Sequence, residues 1–207
     1  MRLIETGADL AEGCAHLAAV CPVWAAVLPA LCPLPLRRRA DGFPAILDAV
    51  VSQQLSVAAA DAILARLQAA GLAAPAAILA ADDAAMRACG LSGPKIRSLR
   101  GIAAAGLDWV ALRDLPDEEV AARLVALPGI GRWTADIYLN FALGRADAFA
   151  SGDLALQEAA RLLYGLDRRP SPRALEAMAE PWRPWRSVAA RALWAYYRSA
   201  KEREGVR

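Results

Sequence analysis

The amino-acid sequence predicts an all-α protein, and two observations carry that prediction. Hydrophobic residues make up 57% of the 207 positions and charged residues 22%, which is typical of a globular chain. Alanine, the strongest helix former, is abundant, whereas few stretches show the two-residue alternation of a strand. The length allows one or two domains. The net charge of +2 permits an anionic partner without requiring one.

The histidine and cysteine content excludes several classes of enzyme. His16 is the only histidine, so a Ser-His-Asp hydrolase, a Cys-His protease or a multi-histidine metal site would each depend on it. The four cysteines form no CxxC pair, so neither zinc nor an iron-sulfur cluster is predicted. We expect them to be small buried hydrophobic residues in a reducing compartment. They are Cys14, Cys21, Cys32 and Cys89.

The amino-terminal region contains an uncharged stretch from Leu17 to Leu36. Four prolines interrupt it, which argues against a lipid-exposed helix. Asp9 and Glu12 precede it, where a secretory leader would be basic. We therefore expect a core helix followed by a proline-rich connection, in a cytoplasmic protein that does not enter a membrane.

The segment from Phe43 to Ala70 predicts one long or slightly broken helical region that ends at Gly71. Polar residues between Ser52 and Ser56 interrupt its apolar pattern. A shorter helix is expected from Asp83 to Ala88, and another from Lys95 to Ala105 after a glycine-containing turn.

Start signals for the next helix are Pro116 and the acidic residues 117–119. Apolar residues then recur at helical spacing, and the helix must end at the segment 128–131, which contains a proline and two glycines. A second helix is expected from Arg132, so that the pair forms a helix, a tight hairpin and a helix. The apolar residues of the first helix are Val120, Leu124 and Leu127, and Trp133, Ile137 and Phe141 are expected on one stripe of the second.

Two further helices complete the chain. One follows Asp153 and runs to about Tyr164, and the last, largely buried one covers the aromatic-rich segment from Trp182 to Tyr197.

The hairpin has a physical use beyond connecting two helices. Gly129 and Gly131 remove side chains that would block close approach, so the amides that begin the second helix can point at a phosphate. Arg132 and the Thr134 hydroxyl could add a charge and another donor. This arrangement would bind DNA without reading its sequence. The alternative is an ordinary turn that ends at a glycine.

Four blocks of sequence stand out together, namely 51–57, 127–135, 147–153 and 182–194. Together they resemble the helix-hairpin-helix signature of the DNA glycosylase superfamily, in the variant of 3-methyladenine DNA glycosylase II. The resemblance implies an all-α, two-lobed helix-hairpin-helix DNA glycosylase fold in its compact form, without an additional amino-terminal domain. We expect one lobe from about 40 to 110 and a second from about 111 to 207 packed with residues 1–39, with Asp153 at the floor of a DNA-binding cleft.

Asp153 is the catalytic residue that the resemblance implies, twenty residues after Trp133. Hydrolysis of an N-glycosidic bond passes through a positively charged sugar, which a nearby carboxylate stabilises while it orients or deprotonates water. The alternative role is to cap the helix that begins at Leu154, and one side chain can do both.

Trp133 decides the subclass and helps to define the substrate. Bifunctional relatives have a lysine at this position, so tryptophan implies a monofunctional enzyme. Aromatic faces attract cationic alkylated purines, and the resemblance places Trp133 and Trp194 in the base pocket, with Tyr138 as a further contributor. The family tyrosine four residues after Trp133 is Ile137 here, which leaves the lesion range open.

Gln53, Gln54 and Leu55 are the candidates for entering the DNA stack when a base is extruded, and Gln54 or Leu55 is the expected wedge. The alternative is that they are polar surface residues or are satisfied internally. The candidates for phosphate contacts are Arg37, Arg38, Arg39, Lys95, Arg97 and Arg100. The alternative is that the arginine run is a solvated face.

No organic cofactor is implied. Relatives hold a monovalent cation, Na⁺ or K⁺, with hairpin carbonyls, which here would be those of Val125, Leu127 and Ile130. The sequence thus predicts a monomeric glycosylase that releases 3-methyladenine and 7-methylguanine from damaged double-stranded DNA. Two alternatives remain, namely a non-catalytic helix-hairpin-helix DNA-binding module and a glycosylase of the same fold for deaminated or oxidised bases.

Overall fold

The computed structural model describes residues 2–203, and within them the protein is all-α, as the sequence predicts. No β-strand occurs there beyond one isolated bridge between Leu3 and Arg145. None of the helices in this range is long and apolar enough to cross a membrane. The helices are α1 (Gly7–Val20), α2 (Pro22–Leu31), α3 (Phe43–Ser52), α4 (Val57–Ala69), α5 (Pro75–Ala80), α6 (Asp83–Ala88), α7 (Gly93–Ala104), α8 (Asp117–Val125), α9 (Arg132–Ile137), α10 (Leu154–Leu163), α11 (Pro172–Ala179) and α12 (Arg186–Arg203).

The chain divides into two units. One consists of Arg39–Tyr138, and the other of the described residues up to Arg38 together with those from Leu139 onward. This division differs from the expected lobes, because residues 111–138 group with the first unit rather than the second. The reason is that the hairpin packs on elements that precede it, since Gly101 of α7 lies against Pro128 and the Gln53 side chain donates to the Gly129 carbonyl.

The Arg39–Tyr138 unit contains α3 to α9. The expected break in the first helical region is present, since α3 ends at Ser52 and α4 begins at Val57. Within this unit α3 packs on α4 and α7, and α7 packs on α5. The apolar spacing predicted for α8 is confirmed, because Val120, Leu124 and Leu127 are all buried.

The other unit is built on α12, which packs along α10 and α1. Trp24 and Trp182 are almost completely buried and meet edge to face with 5.4 Å between ring centroids. The approach of α1 to α12 depends on Gly13, since a Cβ there would lie 2.5 Å from Val188 Cγ2.

The structure corrects three expectations about secondary structure and burial. The last helix begins at Arg186 rather than Trp182, because Trp182 lies in a short 3₁₀ turn, Glu180–Trp182, that precedes it. The stripe of Trp133, Ile137 and Phe141 does not form, because a π-helical turn, Tyr138–Ala142, follows α9 directly.

The cysteines are not uniformly buried, which corrects the third expectation. Cys89 is buried, Cys14 and Cys21 are partly buried, and Cys32 is exposed where the chain leaves α2. The sulfurs of Cys14 and Cys32 lie 3.4 Å apart. Burial and the neighbouring Cys32 thiol raise the pKa of Cys14 to about 12.

Candidate active site and nucleic-acid interface

The Asp153 carboxylate is held at the start of α10. Its Oδ1 accepts hydrogen bonds from the amides of Ala155 at 2.8 Å and Leu156 at 3.0 Å. The side chain therefore caps the helix, as one interpretation of the sequence expected. The residue remains partly exposed, so the cap orients the carboxylate without enclosing it in the protein interior.

The turn that leads into Asp153 is braced by a residue that sequence reasoning missed. Gln157, one turn into α10, is buried, and its side-chain amide donates to the carbonyl of Ser151 at 2.9 Å. The Asp153 amide donates to the carbonyl of Ala150 at 2.9 Å. A buried glutamine in an apolar helix could have indicated this role, because buried polar side chains are normally hydrogen-bonded.

Trp194 lies partly exposed on α12, in the same unit as Asp153. Its ring packs on Phe141 with 5.6 Å between centroids. The guanidinium of Arg191 covers the same phenylalanine ring at 4.6 Å. Trp194 thus packs on a phenylalanine ring that also contacts a guanidinium, an arrangement that the sequence did not predict.

Arg191 also stabilises the π-helical turn. Its guanidinium donates to the carbonyl of Asn140 at 3.2 Å and to the carbonyl of Ser187 at 3.0 Å. Burial lowers the pKa of Arg191 to about 10. A side chain of α12 therefore satisfies a carbonyl in a turn whose backbone hydrogen-bonding pattern departs from that of an α-helix.

The hairpin of the Arg39–Tyr138 unit has the backbone that its glycines predict. Gly129 has φ of +80°, in the left-handed region, and both Gly129 and Gly131 are exposed. A Cβ at Gly129 would lie 2.6 Å from Ser98 Oγ. Glycine is therefore required at this position both for its conformation and for the close approach of α7.

Arg132 and Thr134 are placed differently from the expectation. Arg132 is exposed but already makes two hydrogen bonds of 2.9 Å to the Glu118 carboxylate and one of 2.8 Å to Asp136. These partners raise its pKa. Thr134 is buried, with 6% of its surface exposed, because α9 turns this face toward the protein. The Thr134 hydroxyl is therefore not at the surface where a phosphate would bind.

The structure brings together two predicted DNA-contacting segments. Gln53, Gln54 and Leu55 form the exposed loop between α3 and α4. The side-chain amide of Gln53 donates to the carbonyl of Gly129 in the hairpin at 3.1 Å. The loop and the hairpin are thus in direct contact although 76 positions separate these residues.

The aromatic residues around α9 differ in exposure. Trp133 is 49% exposed, whereas Tyr138 is 3% exposed. The Tyr138 hydroxyl donates to Asp41 and accepts from the Gly42 amide, and burial raises its pKa. Tyr138 therefore serves the interior of this unit, where its ring packs on that of Trp109, rather than presenting its hydroxyl to a base. Sequence reasoning missed Trp109.

The hairpin carbonyl oxygens are ligands of the kind that a monovalent cation binds. Leu127 is buried, and its carbonyl accepts from the Ile130 amide at 3.2 Å, which leaves the oxygen a second lone pair. Ile130 is also buried, whereas Val125 is 44% exposed. Among the residues from 2 to 203, no group of three or more His, Cys, Asp or Glu side chains forms a metal site.

Residues 47–184 match the HhH-GPD superfamily of base excision DNA repair proteins. The chain belongs to this superfamily. The match contains the hairpin, Asp153 and the loop at residues 53–55, and the resemblance inferred from the four sequence blocks is confirmed.

Similar proteins narrow the relationship within the HhH-GPD superfamily. DNA-3-methyladenine glycosylase 1 of Schizosaccharomyces pombe is 34% identical over 176 residues, which cover 81% of this chain and 77% of the relative. The alkylbase DNA glycosidase-like protein mag2 of the same yeast is 28% identical over 191 residues, or 86% of this chain and 90% of mag2.

Two solved structures share the fold. The Schizosaccharomyces pombe 3-methyladenine DNA glycosylase Mag1 in complex with abasic DNA superimposes with a TM-score of 0.76 at 32% identity, covering 88% of this chain and 95% of that one. A DNA-3-methyladenine glycosidase from Bacillus halodurans gives a TM-score of 0.73 at 33% identity, covering 82% and 80%. The predicted all-α helix-hairpin-helix DNA glycosylase fold is confirmed.

Proposed function

We propose that this protein is a monofunctional DNA glycosylase that hydrolyses the N-glycosidic bond of alkylated purines, chiefly 3-methyladenine and 7-methylguanine, in double-stranded DNA. The observation that carries the proposal is the oriented, partly exposed carboxylate of Asp153 within the matched HhH-GPD segment. Similarity to proteins named 3-methyladenine DNA glycosylases supports the substrate class.

In the proposed reaction the bond between C1′ and the base nitrogen breaks, and its electron pair leaves with the base. A positive charge develops on the sugar, and the Asp153 carboxylate stabilises it. A water oxygen then forms the new bond to C1′, and Asp153 takes the released proton. An adenine methylated at N3 or a guanine methylated at N7 already carries a positive charge in the nucleoside, so it leaves as a neutral base.

Recognition of the flipped base is assigned to Trp133 and Trp194. Both indoles are at least partly exposed, and an electron-rich ring favours a cationic base over a neutral one by about 0.5–2 kcal/mol. The chain has Trp133 where bifunctional relatives have lysine, and its only lysines are Lys95 and Lys201. We therefore expect hydrolysis that leaves an intact abasic strand.

The hairpin amides near Gly129 and Gly131 would bind a phosphate, and the loop Gln53–Leu55 would fill the space that the extruded base leaves. A monovalent cation held by the carbonyls of Val125, Leu127 and Ile130 would add positive charge at the hairpin. We further propose that the protein acts as a monomer on damaged duplex DNA in the cytoplasm.

A base-release assay tests the proposal. The protein is incubated with duplex DNA treated with a methylating agent, and the free bases are identified by chromatography. We expect 3-methyladenine and 7-methylguanine from the wild type and little release from Asp153→Asn. Equal release by both proteins would contradict the catalytic role, and a covalent complex trapped by borohydride would contradict the monofunctional mechanism.

A second candidate function is a glycosylase for deaminated or oxidised bases, for which Ile137 at the family tyrosine position leaves room. Duplexes that carry a single hypoxanthine or 8-oxoguanine distinguish it in the same assay. Binding to abasic duplex without release of any base would instead indicate a non-catalytic DNA-binding module.

A further inference from the structure

The loop between α3 and α4 depends on support from other elements. Gln54 has φ of +56°, a left-handed conformation that is unfavourable for a residue with a Cβ. The Leu55 amide donates to the Ser52 carbonyl at 3.2 Å and closes the turn from within. An exposed loop of this kind keeps one conformation only if neighbouring groups stabilise it.

Lys95 supplies that support. Its ammonium donates to the carbonyl of Val51 at 2.6 Å and to the carbonyl of Gln53 at 2.9 Å. Carbonyls at the carboxyl end of a helix lack intrahelical partners and carry the negative end of its dipole. Burial lowers the pKa of Lys95, in agreement with an ammonium group that lies against α3. The side chain that the sequence assigned to a phosphate is therefore engaged with the protein backbone.

The same helix, α7, supports the hairpin. Ser98 and Gly101 follow Lys95 at intervals of three residues, so that each lies beside the one before it on the helix surface. Ser98 lies against Gly129, and a Cβ at Gly101 would lie 2.5 Å from Pro128 Cγ. One face of α7 thus contacts both the loop and the hairpin.

We propose that α7 fixes the position of the loop Gln53–Leu55 relative to the hairpin, and that Lys95 is a positioning residue for base extrusion. This inference rests on the proposed function, in which the loop enters the DNA stack while the hairpin holds the backbone. Extrusion of a paired base is unfavourable, so the wedge must reach the stack at a set distance from the phosphates that the hairpin binds. The hydrogen bond from Gln53 to Gly129 completes the connection between the two segments.

Hydrogen exchange tests the structural part of the inference without any substrate. Exchange of the Leu55 amide is compared in wild type, Lys95→Met and Arg97→Met. Arg97 is an exposed cation two residues along the same helix, so the control removes an equal charge. We expect exchange to accelerate roughly tenfold in Lys95→Met and to remain unchanged in Arg97→Met. Equal exchange in all three proteins would overturn the inference.

Single-turnover excision tests the functional part. The substrates are duplexes with 7-methylguanine opposite cytosine or opposite an abasic-site analogue, where little unpairing is required. We expect Lys95→Met to be roughly tenfold slower on the paired lesion and within about threefold of wild type on the unpaired one. An equal loss on both substrates would contradict a role in extrusion.

The salt dependence of binding to abasic duplex separates positioning from phosphate contact. If Lys95 neutralised a phosphate, its removal would lower the slope of log K against log salt by about 0.9. We expect no change in slope for Lys95→Met, and a decrease of that size would overturn the inference. If Lys95→Met does not fold, Lys95→Gln, which keeps an uncharged NH2 group as a donor, is expected to give intermediate exchange.

Failure of this inference and failure of the proposed function would give different results in these experiments. A wild-type protein that releases no base would contradict the proposed function, whereas the exchange comparison would still decide the role of Lys95. A wild-type protein that is active on both substrates, together with an unaffected Lys95→Met, would contradict only the inference.

Discussion

Arg132 and Glu118 form a bidentate pair, with both hydrogen bonds 2.9 Å long, at the start of the second hairpin helix. The arginine that directly follows the hairpin glycines is thus paired with a carboxylate from α8. Both side chains are mostly exposed, at 57% and 79%, so the pair contributes at most about 1 kcal/mol to stability.

Replacement of Glu118 by glutamine should therefore strengthen DNA binding. The change removes the charge of the carboxylate that accepts two Arg132 hydrogen bonds, and with it a negative charge from the hairpin surface, while Asp136 still accepts one. We expect a several-fold higher affinity for abasic duplex and a salt slope steeper by about 0.9, measured by fluorescence anisotropy. Glu119→Gln on the same helix is the control, since Glu119 pairs with Arg123 instead. An unchanged slope in Glu118→Gln would contradict the prediction.

Asp153→Asn and Asp153→Ala should separate capping from catalysis. Asparagine keeps an oxygen that can accept from the amides of Ala155 and Leu156, whereas alanine does not. We expect both variants to release base at least about 100-fold more slowly than wild type. In addition, the alanine variant should lose about 1 kcal/mol of stability relative to asparagine. Urea unfolding and base release, measured on the same preparations, check both parts, and equal stability of the two variants would contradict the capping role.

Tyr138→Phe should reduce stability more than it reduces base release. The change removes the hydroxyl that donates to Asp41 and accepts from the Gly42 amide, and it leaves that buried amide with the Asp41 carboxylate as its side-chain acceptor. We expect a loss of about 1–2 kcal/mol in the free energy of unfolding. Tyr197→Phe, in a different helix, is a suitable control. A large fall in excision rate with unchanged stability would instead support a direct role of Tyr138 in the base pocket.

Gly101→Ala should disturb the hairpin through packing alone. The added methyl group would meet Pro128 Cγ at 2.5 Å, so either α7 or the hairpin must shift, at a cost of about 1–3 kcal/mol. Gly106→Ala has no neighbour within 4 Å and serves as a control for crowding, although its positive φ of +58° adds strain of its own. We expect weaker binding to abasic duplex for Gly101→Ala, and binding equal to that of wild type would contradict the prediction.

The local signals in the sequence predicted the helices well where caps and apolar spacing agree. The helix Asp83–Ala88 was predicted at its observed bounds, and proline, glycine and acidic residues indicate correctly where α8 begins and ends and where α9 begins. The π-helical turn could not be predicted, because it depends on Arg191 reaching Asn140 from a helix 51 positions away.

Side-chain roles at the candidate site were harder to predict, because tertiary partners determine them. The residue types suggested DNA contact for Arg132 and Lys95, but Glu118 and the backbone of α3 occupy these side chains. Asp153 was easier, since its position immediately before an apolar helix indicates the cap, while its catalytic role is what the family resemblance implies. Its cap is observed, and its role in the reaction stays a prediction.

The packing of the hairpin on α7 has a consequence for protein engineering. A graft of residues 125–137 alone into a new scaffold would transfer the hairpin glycines. It would leave out Gly101, whose lack of a side chain lets Pro128 pack closely on α7. The smallest segment that can be transferred with its packing intact therefore includes α7. Truncations that separate α7 from residues 125–137 should yield misfolded hairpins.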